Sequence, residues 1–286
     1  MKRNVPSTVS VREMTSLDLS AGLSLCRASG WNQTQRDWQM FLAAAPHGAL
    51  VAEEAGRVIG TVATMPYGPF TWISMVLVDP SARGRGVGTL LLEHGVALVP
   101  DHVTARLDAT ESGEPLYRGL GFVAEYRIAR WFVDAPARVT PASGVRPFER
   151  ADWAAVHALD RRAFGVPRVS LLERLVDDAP EYAVALGEPG DGRAYLFGRH
   201  GHDREQLGPL IAGSPEAATA LVETCLAHHV DRRFFIDVPQ DQHAWTRVVS
   251  ALGFVVERTF LRMHRGVMRA PGEPALVYAI TGPEFG

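Results

Sequence analysis

The chain has 286 residues, of which 47% are hydrophobic and 21% are charged, and its formal net charge is −3. This composition excludes an intrinsically disordered chain and argues against a broad nucleic-acid-binding surface. The length favours two domains over one.

The cysteines and the hydrophobicity pattern narrow the class further. Cys26 and Cys225 lie far apart and form no CxxC pair, so we expect neither a bound metal nor a disulfide framework. The N-terminus has no apolar signal core, and no apolar run approaches the roughly 18 residues of a membrane span. We therefore expect a cytoplasmic protein with no membrane partner.

The predicted elements of the first half alternate between helices and strands. Ser16 and Thr34 are candidate caps of two helices that are separated by Gly30-Trp31-Asn32-Gln33. Apolar and β-branched runs predict three strands, over 49–53, 58–65 and 70–78. A helix over 86–99, a strand over 103–107, a short helix over 115–119 and a strand over 127–133 complete the half. This order predicts an α/β fold with a mixed sheet.

Three short markers recur in the second half in the same order. Val11-Arg12, Gly56-Arg57 and Leu120-Gly121-Phe122 return as Val145-Arg146, Gly192-Arg193 and Leu252-Gly253-Phe254, at offsets of 134, 136 and 132. Collinear repeats at one spacing indicate a duplicated domain. Residues 136–144 are rich in Pro and Ala and read as a linker. We therefore predict domains over 8–135 and 145–286.

Alternating glycines separate the strand over 70–78 from the helix that follows. Gly84, Gly86 and Gly88 let successive amide N–H groups converge at a helix N-terminus, where a pyrophosphate binds well. A Walker loop would need a lysine, and the Rossmann fingerprint would need a glycine at Thr89. A glycine-rich turn without a ligand is the remaining alternative.

Two motifs of the first half resemble a known family. Arg83-Gly84-Arg85-Gly86-Val87-Gly88 is similar to the [QR]xxGx[GA] signature of the GNAT acyltransferases, and Leu116 to Phe122 resembles their LYxxLGF segment. The resemblance covers roughly residues 8–135. The whole chain resembles bacterial tandem GNAT proteins with a YitH-like second domain. It implies two tandem GNAT-like domains, each with a mixed central β-sheet flanked by helices.

The resemblance also implies a reaction and its partners. The expected function is N-acetyl transfer from acetyl-CoA to a small-molecule or protein amine. Backbone groups of the strand would pair with the pantetheine arm, and the glycine loop would hold the pyrophosphate. The implied cofactor-binding residues are Val76, Leu77, Val78, Arg83, Gly84, Arg85, Gly86, Val87, Gly88 and Thr89.

Candidate catalytic and acceptor residues follow from family position. Tyr117 would protonate the leaving CoA sulfur, or it is only a half-buried aromatic residue. Asp108, near the opening of the sheet, would attract or deprotonate the amine, or it caps the next turn. Trp31, Asn32 and Gln33 would form the wall of the pocket that binds the acceptor substrate. Alternatively, Trp31 only packs at the junction between the first two helices.

The second half lacks both signature elements. Its equivalent helix begins with Ser214-Pro215-Glu216 instead of alternating glycines, and Val249 stands in the place of Tyr117. We expect this domain to keep the fold without the cofactor chemistry. It could complete the acceptor pocket, form a homodimer or bind a regulator. A non-catalytic acyl-CoA sensor is the rival to an enzyme.

Overall fold

A computed structural model describes residues 8–286 of the chain. Residues 1–7, which form part of the N-terminal segment without a signal core, lie outside the described residues. The elements of the first half are β1 (Val9–Glu13), α1 (Leu19–Ala28), α2 (Gln35–Ala44), β2 (Ala49–Glu54), β3 (Arg57–Pro66), β4 (Phe70–Val78), α3 (Val87–Ala97), β5 (Thr104–Thr110), α4 (Glu114–Gly119) and β6 (Val123–Val133).

The second half repeats this order with shorter edge strands. Its elements are β7 (Val145–Pro147), α5 (Trp153–Phe164), α6 (Val169–Asp178), β8 (Val184–Leu186), β9 (Ala194–Arg199), β10 (Glu205–Ala212), α7 (Pro215–His228), β11 (Phe234–Pro239), α8 (His243–Ala251), β12 (Val255–Arg265) and β13 (Val277–Ala279). Residues 134–144, between β6 and β7, contain neither helix nor strand.

Capping boxes start the first two helical segments. The Thr15 hydroxyl caps the turn that leads into α1, and Asp18 accepts hydrogen bonds from the Thr15 N–H and hydroxyl. The sequence pointed to Ser16, so the predicted cap is wrong by one residue. Thr34 caps α2 as predicted, with Asp37 three residues on. The reciprocal hydrogen bonds satisfy backbone donors that have no partner inside the helix.

One mixed sheet runs through the whole molecule. Its strand order is β1-β2-β3-β4-β5-β12-β6-β11-β10-β9-β8-β7, and β13 pairs with β10. β4 and β5 are parallel, as are β10 and β11, and the other paired strands of the described chain are antiparallel. The predicted α/β fold with a mixed sheet is confirmed.

The two halves exchange their closing strands. β12 of the second half lies between β5 and β6, and β6 of the first half lies between β12 and β11. The sequence predicted a sheet for each half, whereas the exchange joins the sheets. Each half would otherwise present an open strand edge in the middle of the molecule, and the pairing of β6 with β12 removes both edges.

Buried ion pairs cross the exchanged strands. Arg262 of β12 donates two hydrogen bonds of 2.8 Å to Asp108 of β5, and Arg130 of β6 is bidentate with Asp237 of β11. Both carboxylate side chains are completely buried. Isolated charges are costly in such surroundings, so each pair holds the exchanged strands in one register.

Helices cover the joined sheet on both faces. α3 packs on β2, β3 and β4, and α7 packs on β8, β9 and β10. An apolar core lies beneath each helix, and each core includes residues of an exchanged strand, Leu261 and Met263 in the first and Val133 in the second. No helix between residues 8 and 286 is both long and apolar enough to cross a membrane.

Arg262→Met tests the ion pair across the exchange. The substitution leaves the Asp108 carboxylate buried without its cation, so we expect the free energy of unfolding to fall by about 3–5 kcal/mol. Denaturant unfolding measures this loss. Arg118→Gln is the control, because Arg118 forms an exposed pair with Glu114 and should change the stability by less than about 1 kcal/mol. Equal losses in the two variants would contradict the assignment.

Candidate active site

The parallel strands β4 and β5 separate soon after they start. They pair at residues 70–72 and 104–106, and beyond this point β5 continues beside β12. The edge of β4 over residues 73–78 therefore faces a gap. A groove of about 1070 Å³ follows this gap and is lined by Val76, Leu77 and Val78, among others. A splayed strand edge offers free backbone groups to an extended ligand.

A bulge shapes β4 beside the gap. Met75 has φ +53°, which is rare for a residue with a side chain, and the pairing with β3 shifts register here. The Thr61 hydroxyl donates a 2.8 Å hydrogen bond to the Met75 carbonyl and so holds the bulge. Ser74 and Val76, on either side of it, both line the smaller cavity described below.

The glycine loop lies at the far end of the groove. Gly84 and Gly86 have φ of +76° and +87°, in the left-handed region that suits glycine. Gly86 caps α3, so the N–H groups of residues 87–89 are in the first turn and have no intrahelical partner. Gly88 lines the groove, and Val87 is buried, so only its backbone can serve a ligand.

The two arginines of this loop have different surroundings. Arg83 lines the groove and donates to the Val78 carbonyl and the Ser29 hydroxyl. Arg85 instead forms a bidentate pair with Glu54. The structure therefore brings Arg83 to the groove and leaves the Arg85 charge compensated by a carboxylate.

Tyr117 stands where the groove meets a smaller cavity. It lines both, and the smaller cavity has a volume of about 60 Å³. The ring packs edge-on against Phe122. Burial raises the pKa of Tyr117 to about 12, because phenolate is poorly solvated there. The hydroxyl is therefore protonated at neutral pH and can donate a proton.

Asp108 lines the small cavity but is engaged with Arg262. The strand that was predicted over 103–107 continues to Thr110, so Asp108 lies within β5 and not after its end. Both of its oxygens accept hydrogen bonds from Arg262. Burial raises the pKa of the carboxyl, and the guanidinium opposes that rise. Removal of a proton from an amine would break this bidentate pair, so the geometry does not favour a base.

Trp31 and Gln33 reach the small cavity, whereas Asn32 does not. Arg27 donates to the carbonyls of Trp31 and Gln33 and fixes this loop. The Asn32 side chain points to the second half, where it bonds the backbone of Asp203 and Arg204 at 2.7–3.2 Å. The structure thus makes Asn32 part of the contact between the halves.

The sequence left open whether the second half completes the acceptor pocket, and it identified none of the second-half residues that line this cavity. Arg258 and Phe260 of β12 line it, as do Pro283 and Glu284 of the segment 280–286. The exchange of β12 brings the first two residues there, and a strand exchange leaves no local sequence signal. The Trp72 indole donates to the Pro283 carbonyl at 2.9 Å and holds the segment.

The equivalent gap in the second half is filled. β10 and β11 are parallel over residues 205–207 and 234–236 and then separate, as β4 and β5 do. Here β13 pairs with β10, and the Ile280 N–H donates to the Asp237 carbonyl. The side chains of Gln242 and Trp245 donate to the carbonyls of Val277 and Tyr278. A strand of the chain itself occupies the second gap.

Known proteins resemble both halves. The acetyltransferase (GNAT) family matches residues 16–122, and a GNAT acetyltransferase domain matches residues 156–279. The uncharacterized N-acetyltransferase YitH of Bacillus subtilis (strain 168) is 24% identical over 238 residues, which are 82% of this chain and 84% of that protein.

Solved structures share the fold over most of the chain. A candidate acetyltransferase from Pyrococcus horikoshii superposes with a TM-score of 0.84 at 22% identity and covers 98% of this chain and 96% of its own. A tandem GNAT protein from the clavulanic acid biosynthesis pathway superposes with a TM-score of 0.61 at 15% identity, over 90% of this chain and 98% of its own. At these identities the likeness shows the fold.

Asn32→Ala tests the position of this side chain. The variant loses three hydrogen bonds to residues 203 and 204, so we expect the free energy of unfolding to fall by about 1–3 kcal/mol. Asn32→Asp keeps an accepting oxygen and should lose less. Denaturant unfolding measures both. A wild-type stability of Asn32→Ala, or a selective defect in substrate binding, would support the acceptor wall instead.

Proposed function

The chain belongs to the GNAT acetyltransferase superfamily, as an acyltransferase with two tandem GNAT domains, and we propose that its first half transfers an acetyl group from acetyl-CoA to an amine. One observation carries this proposal. In the first half an open gap between parallel strands runs from a glycine loop at a helix N-terminus to a buried, protonated tyrosine.

The groove offers acetyl-CoA a binding surface along its length. We expect the backbone of Val76 to Val78 to pair with the pantetheine arm as an added strand would. The pyrophosphate would lie at residues 84–89, where backbone N–H groups and the positive end of α3 attract an anion. Arg83 adds a positive charge at the same end of the groove.

Direct transfer fits the residues around the small cavity. The amine nitrogen, in its neutral form, attacks the thioester carbonyl carbon, and the C–N bond forms as the C–S bond breaks. The Tyr117 hydroxyl gives its proton to the leaving sulfur, the nitrogen releases a proton to water, and the phenolate regains one from water. We propose no base role for Asp108, because both of its oxygens already bind Arg262.

Tyr117→Phe tests the acid. The ring packing against Phe122 is kept and the proton is lost, so we expect kcat to fall by about 10²–10⁴-fold while the affinity for acetyl-CoA persists. Because the acid must be protonated and its pKa is about 12, wild-type kcat should show no alkaline limb from Tyr117 below about pH 11. Thiol release from acetyl-CoA across an amine panel measures both.

Tyr182→Phe is the matched control, because Tyr182 is buried in the core of the second half. It should keep wild-type turnover. Wild-type turnover in Tyr117→Phe would make Tyr117 structural. If acetyl-CoA binds without any thiol release, the chain is an acyl-CoA sensor.

Titration with CoA tests how many sites the chain has. We expect one CoA per chain, since β13 fills the second gap. Gly86→Asp places an anion beside the converging N–H groups, so binding should weaken at least 100-fold. Calorimetry gives the stoichiometry and the affinity.

Gly68→Asp is the control for backbone strain. Gly68 has φ +78° and open space around it, in a turn outside the groove. Gly68→Asp therefore carries the same kind of backbone strain as Gly86→Asp, and it should keep the wild-type affinity for CoA. Two equivalent sites in the wild type, or full affinity in Gly86→Asp, would contradict the assignment.

A further inference from the structure

The small cavity contains hydrogen-bond acceptors that the protein leaves without donors. The side-chain oxygen Oε1 of Gln33 and the hydroxyl oxygen Oγ of Ser74 are buried and have no hydrogen-bond partner. Gln33 is 3% exposed and Ser74 is 9% exposed, and both line the cavity. Buried polar atoms nearly always have hydrogen-bond partners, so two unpartnered oxygens around one cavity indicate that a ligand binds there.

A carboxylate from the second half is the third polar group considered among the residues that line the small cavity. Glu284 is 3% exposed and lines the cavity. Its Oε1 accepts a hydrogen bond from Arg199, whose other terminal nitrogen donates to Asp37 at 2.6 Å. One buried guanidinium thus serves two buried carboxylates, which leaves a formal charge of −1 on the trio when both are ionised.

The other charges of the cavity wall are already balanced. Arg130 is paired with Asp237, Arg258 with Glu257 and Asp108 with Arg262. Among the described residues that line the cavity, the Glu284 carboxylate therefore lacks a full counter-charge, and the oxygens of Gln33 and Ser74 lack hydrogen-bond donors. Burial raises the pKa of the Asp37 carboxyl, and Glu284 adds to the rise, as expected where one cation is too few.

We propose that this cavity binds the acceptor as a small primary alkylammonium, held by Glu284, Gln33 and Ser74. An ammonium group has three N–H donors and one positive charge, which match the three acceptors and the uncompensated carboxylate. The 60 Å³ volume has room for roughly four to six water-sized groups, so the chain behind the nitrogen is short. Trp31, Ile73 and Phe260 supply apolar walls for it.

This inference rests on the proposed function only in calling the bound amine the acceptor. For transfer, the bound ammonium first gives one proton to water, and the neutral amine that results is the form that attacks the thioester. The site itself is built by both halves, since Gln33 and Ser74 come from the first and Glu284 from the second. An alcohol of the same length would leave the carboxylate without a cation, and an alkyl carboxylate would be repelled by it. The cavity therefore discriminates by charge as well as by size.

Binding of propylammonium tests the proposal without requiring turnover. Calorimetric titration of the full chain, with and without CoA, compares propylammonium with propan-1-ol and propionate as neutral and anionic analogues. We expect propylammonium to bind at least tenfold more tightly than either analogue. Equal binding of the alcohol, or no binding of propylammonium, would overturn the proposal.

Ser74→Ala is the sharpest variant. It removes a hydroxyl with no partner in the protein, so folding should not suffer, and propylammonium binding should weaken about 10- to 100-fold. Tyr182→Phe is the matched control, because the Tyr182 hydroxyl is likewise buried without a partner but lies outside the cavity. It should bind propylammonium as the wild type does. An unchanged affinity in Ser74→Ala would make Ser74 a mere packing residue.

Glu284→Gln tests the charge. The variant leaves Arg199 paired one-to-one with Asp37, so we expect the fold to persist and the preference for propylammonium over propan-1-ol to vanish. Far-ultraviolet circular dichroism checks the fold, and if the fold is lost, Gln33→Leu is the second variant, which keeps the charge and should weaken propylammonium binding about 10-fold. A retained preference in folded Glu284→Gln, or an unchanged affinity in Gln33→Leu, would reject the site. Failure of the proposed function is a separate outcome, seen as absent CoA binding in the same titrations.

Discussion

The exchange of β6 and β12 between the two halves opens the groove and completes the small cavity. By lying between β5 and β6, β12 gives β5 a partner on the side away from β4. β5 can then diverge from β4 after three residue pairs without leaving both of its edges unpaired, and the groove opens between them. Arg258 and Phe260 reach the small cavity on the same strand, so neither half builds this site alone.

The second half shows what happens when the same gap is closed. β10 and β11 diverge as β4 and β5 do, but β13 takes the position along β10 that an extended ligand would take along β4. The chain then continues through the segment 280–286 to the first half, where Glu284 lines the small cavity. The strand that closes the second gap and the residue that lines the small cavity of the first half thus lie close together in the sequence.

Most of the fold could be predicted from the sequence, because helices and strands leave local patterns. The duplication was visible in three short markers, and the glycine loop in its spacing. The strand exchange was not, because β6 and β12 follow the same Leu-Gly-Phe corner and either could close either sheet. Local patterns likewise do not show that Asp108 and Asn32 have partners on the other half, Arg262 and Arg204. Local sequence patterns do not show which strands or charged side chains pair when they are far apart in the chain.

A crystal structure with acetyl-CoA bound tests whether the two halves build one site. We expect one acetyl-CoA per chain, with its pyrophosphate at residues 84–89, its pantetheine along β4 and its acetyl group between Tyr117 of the first half and Arg258 of the second. β13 should remain in the second gap. Electron density for a second acetyl-CoA along β10, or an acetyl group away from β12, would contradict this expectation.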